Sequence, residues 1–247
     1  MYPVVIFPLL CVCGDVKRNG SSVSFKARMV RGGNDTASII YSFVAFDEMV
    51  QRVQDLKTGD MISARAEINH FTDQKGKERD TYKLMSCSKI AGISDNASCP
   101  MYPTVTFPNV KIVKVELAKK KNGEDYLKIF GEERSAANSR PLRLFTIFNE
   151  KKIQQVQNAN LQQGDHACVL GEVHSYIDKD LIVRSSYTIL DMDIRYRKAE
   201  IKKEQKPEPE ETPKVFEEAV PEKKEEETKE DVHEQQYTMS DFEALFA

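Results

Sequence analysis

The chain has 247 residues, with 36 basic and 39 acidic side chains and a formal net charge of −3, long enough for one or two domains with a buried core. The absence of tryptophan, with only 11 glycines and 10 prolines, excludes collagen-like and glycine-rich classes. No run approaches the roughly 18–20 apolar residues of a membrane-spanning helix.

The apolar opening, residues 1–14, holds Pro3 and Pro8 and lacks both a basic start and a small-x-small cleavage site. It reads as a strand of a cytoplasmic protein rather than as a signal peptide. Further strand-like runs fall at residues 9–17, 22–30 and 39–46, with Asn19-Gly20 as a hairpin turn between the first two. Asp47 is placed to cap a short helix in which Met49, Val50, Val53 and Leu56 follow a helical period, and Gly59 ends it. Residues 61–71 and 81–90 give two more strands around a polar hairpin at 72–80.

The pattern then starts again. Met1-Tyr2-Pro3-Val4-Val5-Ile6-Phe7-Pro8 is answered by Met101-Tyr102-Pro103-Thr104-Val105-Thr106-Phe107-Pro108, identical at six of eight positions. Asn122-Gly123 answers Asn19-Gly20, and Phe145-Thr146-Ile147-Phe148-Asn149-Glu150 answers Phe43-Val44-Ala45-Phe46-Asp47-Glu48. Gly164-Asp165 answers Gly59-Asp60, and Glu172-Val173-His174-Ser175-Tyr176 answers Glu67-Ile68-Asn69-His70-Phe71. In the second copy Asn149 is the expected cap, Ile153, Val156 and Leu161 face inward, and Asp178-Lys179-Asp180 makes a much shorter hairpin. Two homologous domains are expected, residues 1–93 and 101–197, joined by a linker at 94–100. Five strands with a helix between the third and fourth is the order of the OB fold, so the expected class is all-β, with two tandem five-stranded OB barrels.

The repeat boundary also divides the charge. Residues 199–247 hold 16 acidic and 7 basic side chains, leaving residues 1–198 with 29 basic and 23 acidic, a net of +6. A basic body suits a polyanion, and an acidic tail suits another role. Residues 198–234 are Glu-, Lys- and Pro-rich, with Pro207, Pro209, Pro213 and Pro221. Such a segment buries too little apolar surface to offset its ordering entropy and is expected to be disordered. The last residues change character: Asp241, Phe242, Glu243, Leu245 and Phe246 form an acidic tip with apolar side chains, the expected docking peptide for a partner.

These features together resemble the bacterial single-stranded DNA-binding proteins. The resemblance rests on Phe46, Gly59-Asp60 and Ala66, repeated as Phe148, Gly164-Asp165 and Gly171, and on the acidic, Phe-containing end. It implies sequence-nonspecific binding and protection of single-stranded DNA in replication, recombination or repair. It further implies recruitment of replication and repair proteins through the tip, and a homodimer that assembles four OB domains around one DNA. The chain departs from the family in holding two domains, in the aliphatic Ile40 and Leu142 where an early strand-three aromatic is common, and in ending Phe246-Ala247 rather than Pro-Phe.

Strand alternation sorts the candidate DNA contacts. Val23, Phe25, Ala27 and Met29 read as core, leaving Ser24, Lys26 and Arg28 on the other face. In the second repeat Leu127 and Ile129 are core and Tyr126, Lys128 and Phe130 lie outside. Basic residues interleaved with aromatics suit a single strand, because bases stack on rings while cations follow phosphates. The first hairpin adds Phe71, Lys75, Lys77, Arg79 and Tyr82; Lys120 precedes the second Asn-Gly turn; Tyr176 and Arg184 flank the second hairpin. Phe46 and Phe148 stand where the family resemblance implies a stacking ring.

Catalytic signatures are missing. Cys11, Cys13, Cys87, Cys99 and Cys168 form no zinc-type pairs of pairs, and Cys11 and Cys13 read as core thiols. No phosphate loop or nucleophile elbow occurs, so no cofactor, no metal, no membrane and no enzymatic activity are expected. An RNA- or tRNA-binding OB protein and an OB-based interaction scaffold remain the alternatives.

Overall fold

Alternating apolar residues and two prolines decide how each repeat folds. The computed structural model describes residues 2–30, 39–92, 99, 101–134, 140–177, 179 and 182–196. The first half comprises β1 (Val4–Val12), β2 (Lys17–Asn19), β3 (Ser22–Met29), β4 (Ile40–Phe46), α1 (Glu48–Val53), β5 (Met61–Thr72) and β6 (Glu78–Lys89). The second comprises β7 (Thr104–Lys119), β8 (Asp125–Glu133), β9 (Leu142–Ile147), α2 (Glu150–Asn158), β10 (His166–Ile177) and β11 (Val183–Tyr196). The chain is mostly β, as the sequence pattern implies.

In the first half β1 pairs with β5, β5 with β6, β6 in parallel with β4, β4 with β3, and β3 back with β1. The second half closes the same ring through β7, β10, β11, β9 and β8, with β11 and β9 parallel. Each ring carries its helix between the third and fourth long strands. The first strand runs from Val4 through Pro8, which lies where the β1–β5 register shifts between Phe7 and Leu10. A proline has no N–H to donate, and a bulge spares the ladder that bond. Pro108 stands at the corresponding shift between Phe107 and Val110.

The rings are filled by equivalent aromatics. Phe7 meets Phe43 edge-on at 5.3 Å and Tyr82 at 5.2 Å, and Phe107 meets Phe145 at 5.2 Å and Tyr187 at 4.8 Å. Such offset and T-shaped pairs add to the burial of large apolar area. Backbone bonds repeat as faithfully: Ile68 N donates to Pro3 O at 2.9 Å and Val173 N to Pro103 O at 2.8 Å. The two rings join through β1 and β7, which run antiparallel with Val5 opposite Val105, Val4 opposite Thr106 and Ile6 opposite Thr104. Val5 and Val105 hold the same position in the repeat, so the junction is symmetric about that pair.

The helices differ. Asn149 Oδ1 accepts from Lys152 N at 3.2 Å, an N-cap as expected, and Ile153, Val156 and Leu161 are buried. Asp47 occupies the corresponding position without a capping side-chain bond, at φ 51° and ψ −127°. The expected Asp47 cap is therefore absent: the backbone there has a positive φ rather than the extended geometry of the Asn149 cap. Among the thiols, Cys11 is buried beside Leu9, Val30, Met61 and Cys99, but Cys13 lies past the end of β1 and is only half-buried. Cys99, within the expected linker, is buried and donates its backbone N–H to Val30 O at 3.0 Å, so that part packs on the first ring. The rest of the expected linker, the Asp178 and Asp180 ends of the second hairpin, and the whole acidic tail with its tip lie outside the described residues.

Candidate nucleic-acid interface

The turn between β5 and β6 is organised by one carboxylate. Asp73 Oδ1 accepts from Lys75 N at 2.9 Å and Lys77 N at 2.8 Å, while Asp73 Oδ2 takes Arg79 Nε at 2.6 Å. The Arg79 guanidinium and these amides hold the Asp73 carboxyl below its ordinary pKa. Gly76, at φ 73°, closes the turn, a backbone geometry that glycine adopts without cost. The turn is tighter than its sequence implies, since β5 runs on to Thr72 and β6 starts at Glu78.

This hairpin forms one wall of a cleft of about 600 Å³ whose other walls come from β3, β4 and the second half. Lys26, Phe71, Lys75, Arg79 and Tyr82 all line it, together with Ile40, Tyr41, Asp73, Asp80, Val183 and Ser185. Five of the candidate residues, scattered over 57 positions of sequence, thus meet in one place. Lys26 and Lys75 are exposed and Phe71 half-buried, so cations and a ring face the opening together. Tyr82 reaches the cleft only at its floor: it is 5% exposed and packs against Phe7, Tyr41 and Phe43. It is a core residue, not the open stacking ring expected.

A second cluster lies on β8 and the start of α2. Tyr126 and Phe148 stack with centroids 5.5 Å apart and planes 24° apart. Lys120 Nζ lies 5.1 Å from the Phe148 centroid and Lys128 Nζ 5.4 Å from that of Tyr126. Lys120 also pairs with Glu124 at 2.8 Å, and Lys119 with Asp125 at 2.9 Å. Phe148 is 44% exposed, and one ammonium group lies over each ring of the pair. Leu127 and Ile129 are buried between these outward residues, as alternation requires, and Phe130 continues the outward row half-buried.

Phe46 corrects the sequence expectation. It holds the Phe148 position of the first repeat but is 5% exposed, with Lys83 Nζ 5.9 Å from its centroid. Both faces of β4 are covered at this end, where Phe43, Val44, Ala45 and Phe46 are all buried, so the ring packs inside rather than facing a base. Ser24, expected beside Lys26, is buried as well, opposite Lys17 of β2. Arg28 and Lys77 are half-buried and line neither cluster. Tyr176, 52% exposed, stands directly across the second hairpin from Arg184.

The sequence reading missed the charges beneath the cleft. Arg143 on β9 donates Nη1 to Asp80 Oδ2 at 2.7 Å and Nη2 to Asp80 Oδ1 at 3.1 Å, and its Nε to Glu133 at 2.9 Å. His70 Nδ1 lies 2.8 Å from the same Asp80 carboxylate. Burial alone would raise the Asp80 pKa, but Arg143 and His70 outweigh it and hold the carboxyl well below the usual range. The signal was present in the sequence: Arg143 is in phase with the buried Phe145 and Ile147, so a cation at a core-facing position demands a buried anion. Among the described residues no group of three or more His, Cys, Asp or Glu side chains is disposed to hold a metal ion.

No family model and no curated protein matches the sequence. Among solved structures, the chain is similar to the single-stranded DNA binding protein of Thermus aquaticus, at 10% identity and a TM-score of 0.54 over 80% of this chain and 94% of that one. A deletion mutant of the same Thermus aquaticus protein matches at 10% identity and a TM-score of 0.54, over 85% of this chain and 98% of that one. At this identity the likeness is one of fold, and it spans most of the chain.

Proposed function

We propose that the protein binds single-stranded DNA with little sequence preference, coating exposed strands in the cytoplasm during replication, recombination or repair. The observation that carries this reading is the Tyr126–Phe148 stack flanked by Lys120 and Lys128. A ring pair of this kind accepts any base, since every base has a π face, and each stacked base is worth roughly 1–3 kcal/mol. The cleft with Lys26, Lys75, Arg79 and Phe71 supplies a second contact region of the same chemistry. The fold shared with a protein named for single-stranded DNA binding supports the choice of ligand.

Each ring acts as one domain, with the boundary between residues 93 and 101, and the protein works by binding rather than catalysis. Ile6, Met85 and Leu170 are large apolar side chains left exposed on β1, β6 and β10, and they favour association with a second copy. The acidic tail, net −9 against the body's +6, competes for the basic surface when DNA is absent and offers Phe242, Leu245 and Phe246 to replication or repair proteins.

Titration of labelled oligo-dT, its RNA equivalent and duplex DNA at low and high salt tests the reading. Tight binding to oligo-dT with a steep salt dependence is expected; no binding to any of the three at low salt would turn the reading toward an interaction scaffold, and preference for RNA toward the RNA-binding alternative. Deletion of residues 199–247 is expected to raise affinity at low salt, and unchanged affinity would remove the shielding role from the tail.

A further inference from the structure

Tyr41 and Arg143 occupy the same position in the two repeats, two residues before Phe43 and Phe145. Each reaches out of its own ring to the root of the other repeat's hairpin. Tyr41 donates its hydroxyl to Ser175 Oγ at 3.0 Å, and Ser175 bonds Ser185 at 2.9 Å. Arg143 grips Asp80, which bonds His70. The two targets are themselves equivalent: His70 stands directly opposite Asp80 on β5 and β6, as Ser175 stands opposite Ser185 on β10 and β11. The junction therefore makes a reciprocal exchange, with hydroxyls in one direction and a bidentate ion pair in the other.

The ion-paired direction is the one that ends under the basic hairpin. Asp80 adjoins Arg79, and both line the cleft together with Phe71 and Lys75. A planar guanidinium bonded to both carboxylate oxygens fixes angle as well as distance, and Glu133 fixes the guanidinium from behind. We propose that Arg143 is a positioning residue: through Asp80, the second repeat sets the angle at which the first repeat presents its hairpin cations to the nucleic acid. The inference rests on the reading of the cleft as a DNA contact, yet it has a structural consequence that does not need DNA. It also assigns a cost to exchanging the repeats. Two second repeats paired together would set Arg143 against serine hydroxyls, leaving the buried guanidinium its own Glu133 but not the bidentate carboxylate.

The test compares the full chain with Arg143→Lys, Arg143→Met, the hairpin double variant Lys75→Ala/Arg79→Ala, and Arg143→Lys combined with that double variant. Labelled oligo-dT is titrated over a salt series, and amide exchange is followed through residues 72–80. The hairpin double variant is expected to weaken binding and to lower the salt slope by about 1.4, for two lost phosphate contacts on a single strand. Arg143→Lys keeps the charge but loses the fork, so it is expected to reproduce most of that fall in slope and to speed exchange in the hairpin several-fold. The combined variant should lose little beyond the hairpin variant alone. Tyr41→Phe should leave hairpin exchange unchanged.

Wild-type affinity, slope and hairpin exchange in Arg143→Lys would overturn the proposal, as would fully additive losses in the combined variant. If Arg143→Met does not fold, Asp80→Asn removes the other half of the contact and is read in the same way. If the wild-type chain binds no oligonucleotide, the DNA reading fails by itself. The positioning of the hairpin is then judged on exchange alone: faster exchange upholds it and unchanged exchange refutes it.

Discussion

Phe46 and Phe148 stand at one position of the two repeats, on the same strand end and before the same helix, yet the first is 5% exposed and the second 44%. Asp47 and Asn149 follow them; only Asn149 caps its helix. Tyr41 and Arg143 precede them; one crosses to a hydroxyl pair and the other to a carboxylate. The repeats have kept the framework, with paired Val5 and Val105, matched aromatic cores and bulges at Pro8 and Pro108. They differ in what each places at its rim. The first half contributes a long basic hairpin, and the second an open stacked pair and the arginine beneath that hairpin. One framework thus carries different side chains at its rim in the two halves.

The sharpest break in that comparison comes from alanine at the paired phenylalanines. Phe46→Ala should cost about 3–5 kcal/mol of stability, as for a buried ring, measured by denaturant unfolding. Phe148→Ala should leave the unfolding midpoint nearly unchanged and lose about 1–3 kcal/mol of oligo-dT binding. Exchange of these two outcomes would reverse the assignment of core and platform. The crossing contacts should separate as widely. Arg143→Met leaves Asp80 and Glu133 without their cation and should cost about 3–5 kcal/mol, while Tyr41→Phe removes a neutral hydroxyl, bonded to Ser175 and near Met29 Sδ, and should cost about 1 kcal/mol.

Acid sharpens the same contrast. Because Arg143 and His70 hold the Asp80 carboxyl below its ordinary pKa, its contribution is complete above the unfolded value of about 3.9 and is lost as pH falls through the lower folded value. The stability gap between the wild-type chain and Asp80→Asn should therefore close below about pH 4; a gap that stays constant through that range would remove Asp80 from the acid response. The smallest effects belong to the helix ends. Asn149→Ala should lose about 1 kcal/mol with its cap. Asp47→Gly should gain about 1 kcal/mol, because φ 51° and ψ −127° strain any side-chain-bearing residue.

Much of this was legible in the residues. The repeat, the turn at Asn19-Gly20, the inward Val53, Ile153 and Val156, and the outward row Tyr126, Lys128 and Phe130 follow from period and identity alone, because each depends on neighbours close in sequence. What depended on the second layer of packing was not. Phe46 and Phe148 have matching local sequences, and both follow strand ends buried on both faces, yet one ring is 5% exposed and the other 44%. Arg143 announced a buried charge by its phase with Phe145, but its partner lies 63 residues away in the other repeat. The cleft draws Lys26, Phe71, Lys75 and Val183 from both halves, so no alternation within one strand could disclose it.

The most direct measurement is lysine-specific chemical footprinting of the full chain with and without saturating oligo-dT. Lys26 and Lys75 at the cleft and Lys120 and Lys128 beside the Tyr126–Phe148 pair are expected to be protected, with protection relieved as salt is raised. Equal reactivity of these four lysines in the presence and absence of bound oligo-dT would contradict DNA contact at these sites.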